Sequence, residues 1–200
     1  MHPNPSFRKA SGEQNLRFAR KRGFGVLAAN GADGPVMAHI PFMLSEDGTY
    51  ADLHLARSNG LVGLIGSAVL AISGPDAYIS PDWYGAVDQV PTWNYIAVHL
   101  RGQLIPMPPE ALEPHLISVS DRFEAELLPK PIWKPSKMSE GVMERMMRMI
   151  LPFRLQVQSV EGTWKLNQNK TPEARQGAIR ALTALGGASG EMAQAMRDLG

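Results

Sequence analysis

The run TWNYIAVHLRGQLI, residues 92–105, alternates between two kinds of side chain. Ile96, Val98, Leu100 and Leu104 fall on one parity, and Trp93, Tyr95, Ala97, His99 and Arg101 on the other. A two-residue period sends successive side chains to opposite faces of a β-strand and scatters them around a helix. One face therefore belongs to a core. The other carries two aromatics, a histidine and an arginine, which suits a partner surface or a ligand. VMAHIPFML (36–44) repeats the pattern, with Val36, Ala38, Ile40, Phe42 and Leu44 opposite Met37, His39, Pro41 and Met43. Pro41 has no N–H for a ladder, so this strand is expected at an edge, or bulged there.

The rest of the chain is read around these strands. FGVLAAN, TYADLHLA, SAVLAIS and FRLQVQSVEG read as further strands, and NGADGP and EDG as turns. Ser11 and Gln14 have the spacing of a capping box, and Gly23 suits the stop of the helix they open. SNGLVGLIG reads as a short helix. PPEALEPHLISVSDRFEAELLP is a long helix with Leu112, Leu116, Val119, Phe123 and Leu127 as its apolar stripe. SEGVMERMMRMIL is a second, capped by Ser139, and its methionines read as packing. Thr171 and Pro172 open a third, and the final fourteen or so residues fray or form a short helix. Short strands first, a helical insertion and one late strand describe a mainly β barrel with peripheral helices, an α+β chain.

Bulk properties narrow the function. Twenty Lys and Arg against nineteen Asp and Glu leave a formal net charge of +1, so no general attraction to nucleic acid or to an anionic membrane is expected. The chain has no cysteine, which removes thiolate chemistry and disulfides. MHPNPSFRKA lacks the apolar core of a secretory signal, and no apolar run approaches the roughly 20 residues of a membrane span. A cytoplasmic protein is the expectation.

Several familiar chemistries find no support. The histidines show no HxxH or HExxH spacing, and only a convergence of His39, His54 and His99 across strands would gather three, so no metal site is expected. GxSxG, GxGxxG and P-loop patterns are missing. What remains is anion chemistry. HLARSNG places Arg57, Ser58 and Asn59 between a strand and a helix, where a guanidinium, a hydroxyl and helix amides would cradle a phosphate. The plainer reading is that Ser58 or Asn59 caps the helix and Arg57 is solvated. TWKLNQNK adds Lys165, Gln168, Asn169 and Lys170 just before another helix. With the aromatic strand face, these turns suit an aromatic ligand that carries phosphate.

GPDAYISPDWYG, VPTWNYIAVHLRG, HLARSN and GTWKLNQNK together resemble the PaiB family, FMN-binding split-barrel proteins often named negative transcriptional regulators. The likeness runs from GFGVLAANGADGPVMAHIPFML to TWKLNQNK. Gly60 stands where proline is common, and Asn167 where serine is expected. The resemblance implies a six-stranded antiparallel split β-barrel of the pyridoxamine-phosphate-oxidase-like type. It implies one domain over 1–200 with a helical extension from about 171, and a homodimer with FMN between subunits. Arg57, Ser58 and Asn59 would hold the phosphate. Lys165, Gln168 and Lys170 would contact phosphate, ribityl or ring. His39 and Pro41 would line the isoalloxazine, with Trp93 and Asn94 beside it. No catalytic residue is implied, and His39, His54 and His99 are the candidate proton donors. The implied activity is FMN-dependent oxidoreduction of an unnamed small molecule. The alternative is a flavin- or redox-responsive regulator without a recognisable helix-turn-helix, for which Arg175 and Arg180 are a thin DNA-binding surface.

Overall fold

Ser11 Oγ accepts from the Gln14 amide at 3.1 Å, and α1 follows as Gly12–Arg22. Its stop is Gly23, at φ +57°, where a side chain would be strained. In the computed structural model, which describes residues 1–199, six strands follow: β1 Phe24–Gly31, β2 Gly34–Leu44, β3 Tyr50–Ala56, β4 Gly66–Ile79, β5 Thr92–Pro106 and β6 Ile150–Lys165. Between β5 and β6 stand α2 (Leu112–Ala125) and α3 (Val142–Met147); α4 (Pro172–Leu185) and α5 (Gly187–Asp198) come last. The strands hydrogen-bond in the cyclic order β1-β2-β3-β6-β5-β4 and close a barrel. This is the expected antiparallel barrel.

The chain forms two compact units. The first takes Met1–Asn15, Ser73–Val98 and the chain from Glu161 on; the second takes Leu16–Ile72 and His99–Val160. All six strands pass through the second unit, and its core draws on each of them. Leu27, Phe42, Leu53, Leu70, Leu100 and Phe153 are buried there, one from each strand. Burying each such side chain contributes about 1.5–3 kcal/mol. β1 and β2 pair from Phe24↔Pro41 to Gly31↔Gly34, around the expected turn. β3 pairs with β2 through Phe42↔Leu53 to Leu44↔Ala51, and with β6 from Tyr50↔Gln156 to Ala56↔Ile150. Pro41 thus sits one residue before the β2–β3 ladder begins, where no amide is needed. The expected edge is not found: β2 lies between β1 and β3 in a closed barrel, and Pro41 falls just outside the β3 ladder.

Other expectations change. The helix expected after Asn59 is a single 3-10 turn, Gly60–Gly63. Ser139 does not cap α3; the N-cap is Gly141, at φ +73°, without a side-chain bond. The stripe on α2 is only partly buried: Leu112 is buried, Leu116, Val119 and Phe123 are half-buried, and Leu127 lies beyond the helix and is exposed; the helix also buries His115, outside the stripe. β6 runs on through Trp164 and Lys165, which were expected in an irregular segment. In the first unit, Thr171 caps α4 by accepting from the Ala174 amide at 3.3 Å, as expected. The final residues resolve as α5, which buries Met192, Ala193 and Met196.

His115 is held by a partner on β3. Its Nε2 lies 3.1 Å from His54 Nδ1, one ring nitrogen donating to the other. On the same strand, Asp52 accepts from Arg154 Nε at 2.6 Å and from its second nitrogen at 2.8 Å, and the guanidinium stacks on Tyr50. Burial pushes His54 below the ordinary histidine pKa. Burial, then the His54 charge, push His115 down to about 4, against a smaller opposing pull from Asp52. A depressed folded pKa means that the unfolded chain binds more protons between about pH 4 and 6.5. Stability is therefore expected to fall as pH drops through that window, by roughly 2 kcal/mol after allowing for solvent screening. Urea midpoints between pH 7 and 4.5 test this. A flat profile, or the same slope in His115→Gln, would dismiss the pair as its source.

Candidate functional site

In the first unit, β6 ends in a turn that holds two lysines close together. Asn167 adopts the left-handed conformation at φ +59°, which asparagine tolerates better than most residues. The Lys170 amide donates to the Asn167 carbonyl at 3.0 Å. Gln168 braces the turn from inside: its Oε1 accepts from the Leu166 amide at 2.7 Å, and its Nε2 donates to the carbonyls of Trp164 and Ser6. Tyr84 donates to Asn167 Oδ1 at 3.3 Å. Burial raises the Tyr84 pKa, so its hydroxyl stays protonated.

The turn presents Lys165 and Lys170. Lys165 Nζ donates to Thr92 Oγ1 and lies 5.8 Å from the Phe7 ring centre. Lys170 Nζ donates to Gln89 Oε1 at 2.7 Å and lies 4.7 Å from the Tyr84 ring centre. Both ammonium groups thus rest on neutral acceptors and ring faces. Among the described residues, neither forms an ion pair with a carboxylate. Burial first, and the Lys170 charge second, lower the Lys165 pKa. Beside them, the buried Asn167 Nδ2 has no hydrogen-bond partner. Two mutually repelling cations and an unpaired amide donor make a donor set that a phosphate would satisfy.

The other expected contacts of this unit divide. Trp93 is 55% exposed and meets Tyr78 edge to face at 6.2 Å. Asn94 is 0% exposed; its Nδ2 donates to Met196 Sδ at 3.5 Å, and its Oδ1 has no partner. Its side chain is turned into the protein, not toward a ring outside. Parity carried that signal, since 94 belongs with 96, 98 and 100 on the core face. Gln168 spends both ends of its amide on backbone. Gln89 and Thr92, which receive the two lysines, carried no pattern that sequence reasoning could detect.

In the second unit, His39 is exposed and Pro41 half-buried, both on the outward face of β2, the face alternation assigned to them. Arg57 and Ser58 are exposed after β3. Arg57 Nε donates to the Arg148 carbonyl at 2.6 Å. Asn59 Oδ1 accepts from the Leu61 amide at 3.0 Å, and the Asn59 carbonyl takes the Val62 amide. Two amides of this short turn are therefore spent on Asn59, while Arg57 and Ser58 keep exposed side chains that can meet an anion.

Elsewhere in this unit, Met138, Met143, Met146, Met147 and Met149 line an apolar groove of about 470 Å3 with Trp133. Met149 is 66% exposed, so these methionines are not all packing. Among the described residues, no group of three His, Asp or Glu stands close enough to hold a metal. Among the described residues, no helix is long and apolar enough to cross a membrane. Arg175, one of the two arginines of the thin DNA-binding surface, sends its guanidinium to the Leu166 and Met196 carbonyls.

A family model described as "Putative FMN-binding domain" matches residues 1–159. The chain is 27% identical over 169 residues to the Bacillus subtilis protein "Protease synthase and sporulation protein PAI 2", covering 82% of this chain and 80% of that one. Among solved structures, the FAD and heme binding protein from Mycobacterium smegmatis matches with a TM-score of 0.58 at 13% identity, over 86% of this chain and 80% of that one. The flavocytochrome Anf3 from Azotobacter vinelandii matches with a TM-score of 0.60 at 12% identity, over 82% and 72%. At these identities the structures share the fold.

Proposed function

The chain belongs to the FMN-binding domain family, FMN is its cofactor, and from that premise we propose a flavin-dependent oxidoreductase in which Lys165 and Lys170 receive the FMN phosphate. The observation that carries the phosphate assignment is the lysine pair without a carboxylate. Bound FMN supplies hydride or electron transfer, and the protein supplies position and polarity. Lys165 and Lys170 bind the dianion. Thr92 and Gln89 hold the two ammonium groups in place. Gln168 keeps the turn from opening. Tyr84 orients Asn167, whose free amide supplies one more donor.

Arg57, Ser58, His39, Pro41 and Trp93 each present open side-chain surface, and each remains a proposed flavin contact. Asn59, Asn94 and Gln168 have internal roles that weaken that assignment. The homodimer is also part of this proposal. Tyr78, Val87, Val90 and Trp93 of the first unit are exposed, and exposed apolar groups of this kind favour self-association.

Absorption of the purified protein, followed by FMN titration with flavin fluorescence, tests the reading. Flavin bands or saturable quenching are expected, then NAD(P)H oxidation with an acceptor. FMN binding without turnover across a broad acceptor panel would move the flavin-responsive regulator forward, and a salt-sensitive DNA mobility shift would then support it. No flavin binding would defeat both.

A further inference from the structure

The methionine groove of the second unit is walled by α2, the 133–138 loop, α3 and the start of β6. Leu116, Ile117 and Ser120 reach it from α2, and their spacing of three and four puts them on one face of that helix. Five methionines and Trp133 supply most of the rest. The loop is fastened to α2 before any ligand arrives. Glu124 accepts from the Trp133 amide at 2.8 Å and from the Lys130 ammonium, and Lys134 pairs with Asp121 at 3.1 Å. Among the described residues, no charged side chain lines the groove. Two polar groups in its lining are unspent. Ser118 returns its hydroxyl to the Pro114 carbonyl at 2.9 Å, a common bond for a helical serine. The Ser120 hydroxyl and the Trp133 indole N–H make no hydrogen bond among the described residues.

We propose that this groove binds a neutral aromatic molecule of two or three fused rings that carries one hydroxyl or carbonyl group. Its volume of about 470 Å3 lies in the range of sites for small organic ligands, which are mostly apolar with a few polar groups that set orientation. Ser120 and Trp133 supply those groups. A charged ligand would give up its hydration and find no countercharge in the lining. Methionine thioethers are flexible and make favourable contacts with rings, and the Trp133 indole offers a further aromatic surface. Eleven residues line the groove, about half of the roughly 20–30 a side that a stable protein interface uses, so a partner protein or a second copy fits it less well. The site shares no residue with the lysine pair and does not rest on the flavin reading.

The test is a titration of the FMN-saturated protein, labelled with 13C at the methionine methyls, with 2-naphthol at pH 7, and with naphthalene and 2-naphthoate as comparators. Saturable shifts are expected at Met138, Met143, Met146, Met147 and Met149, while Met37 and Met192 stay in place. Naphthalene, which lacks the polar group, is expected to bind about threefold to tenfold more weakly, and the charged 2-naphthoate at least about tenfold more weakly. Ser120→Ala should bring 2-naphthol toward the affinity of naphthalene and leave naphthalene unchanged, a result that a merely structural serine would not give. Met146→Glu should abolish binding of 2-naphthol; Met146 is 56% exposed, and far-UV circular dichroism checks that both variants fold. No saturable binding of 2-naphthol, shifts spread over all the methionines, or binding unchanged in Met146→Glu would overturn the proposal. Equal binding of 2-naphthoate would overturn the neutral ligand. Groove signals that move on dilution of the protein alone would give the groove to a second copy and also overturn it. If the protein takes no FMN, the flavin reading fails, and the same titrations without FMN still decide this one.

Discussion

Gly102→Ala is expected to destabilise the protein by at least about 3 kcal/mol, the largest loss from the smallest possible change of side chain. Gly102 lies inside β5 on its core-facing parity. A Cβ there would stand 1.8 Å from the Gln156 carbonyl oxygen, 2.7 Å from its carbon and 3.2 Å from Val157 Cα. All three are backbone atoms of β6, the strand next to β5 in the barrel. A flexible side chain could swing aside; a strand held by its own ladder cannot. Gln156 pairs with Tyr50, and the Val157 amide donates to the Thr49 carbonyl at 2.8 Å, so moving β6 also strains its pairing with β3. A glycine inside a strand is otherwise a weakness, and here it permits close backbone approach. Urea unfolding should show a lower midpoint with an unchanged slope. Gly63→Ala is the control, because a Cβ there meets nothing within 4 Å. If Gly102→Ala stays within about 1 kcal/mol of the wild type, β5 and β6 can part there easily and the argument fails.

That crowding could not be read from the sequence, although much of the barrel could. Alternation is a local property, and it placed Ile96, Val98 and Leu100 on the core side of β5 and His39 and Pro41 on the outer side of β2. Ser11, Gly23 and Thr171 act through hydrogen bonds or dihedrals a few residues away, so their roles were legible too. Ser139 follows the same local rule and fails, because the chain enters α3 through a left-handed glycine instead. Long-range partners left no mark. His54 and His115 are 61 positions apart, and only folding brings their rings together. In the candidate site, the motif words identified Lys165 and Lys170. They did not show that Gln168 would be consumed by backbone, or that Asn94, adjacent to an exposed tryptophan, would face Met196. For Asn94 the motif and the parity point opposite ways, and its hydrogen bond to Met196 follows the parity.

Replacing Lys165 and Lys170 together by alanine is expected to weaken FMN binding by about a hundredfold or more. Each charge-assisted contact to a phosphate is worth roughly 1.5–3 kcal/mol, and each 1.4 kcal/mol is about tenfold in affinity. The two effects are not additive, because removing one ammonium relieves the repulsion felt by the other, so the losses of the two single variants should sum to less than the loss of the double variant. The same repulsion predicts what a merely structural role would not: the flavin-free variant should be at least as stable as the wild type, while the stabilisation FMN confers disappears. A pH profile adds a second signature. The Lys165 pKa is lowered by burial and by Lys170, and a bound dianion favours its charged form. FMN affinity should therefore fall as pH rises through that lowered value, as the ammonium loses its proton. Lys165→Arg should keep FMN bound and remove that dependence, since a guanidinium stays charged throughout. Fluorescence titrations from neutral to alkaline pH, with thermal melts with and without FMN, measure all of this. Undiminished affinity in the double variant, with Arg57→Ala losing it instead, would move the phosphate to Arg57 and Ser58 and leave the lysine pair to another anion.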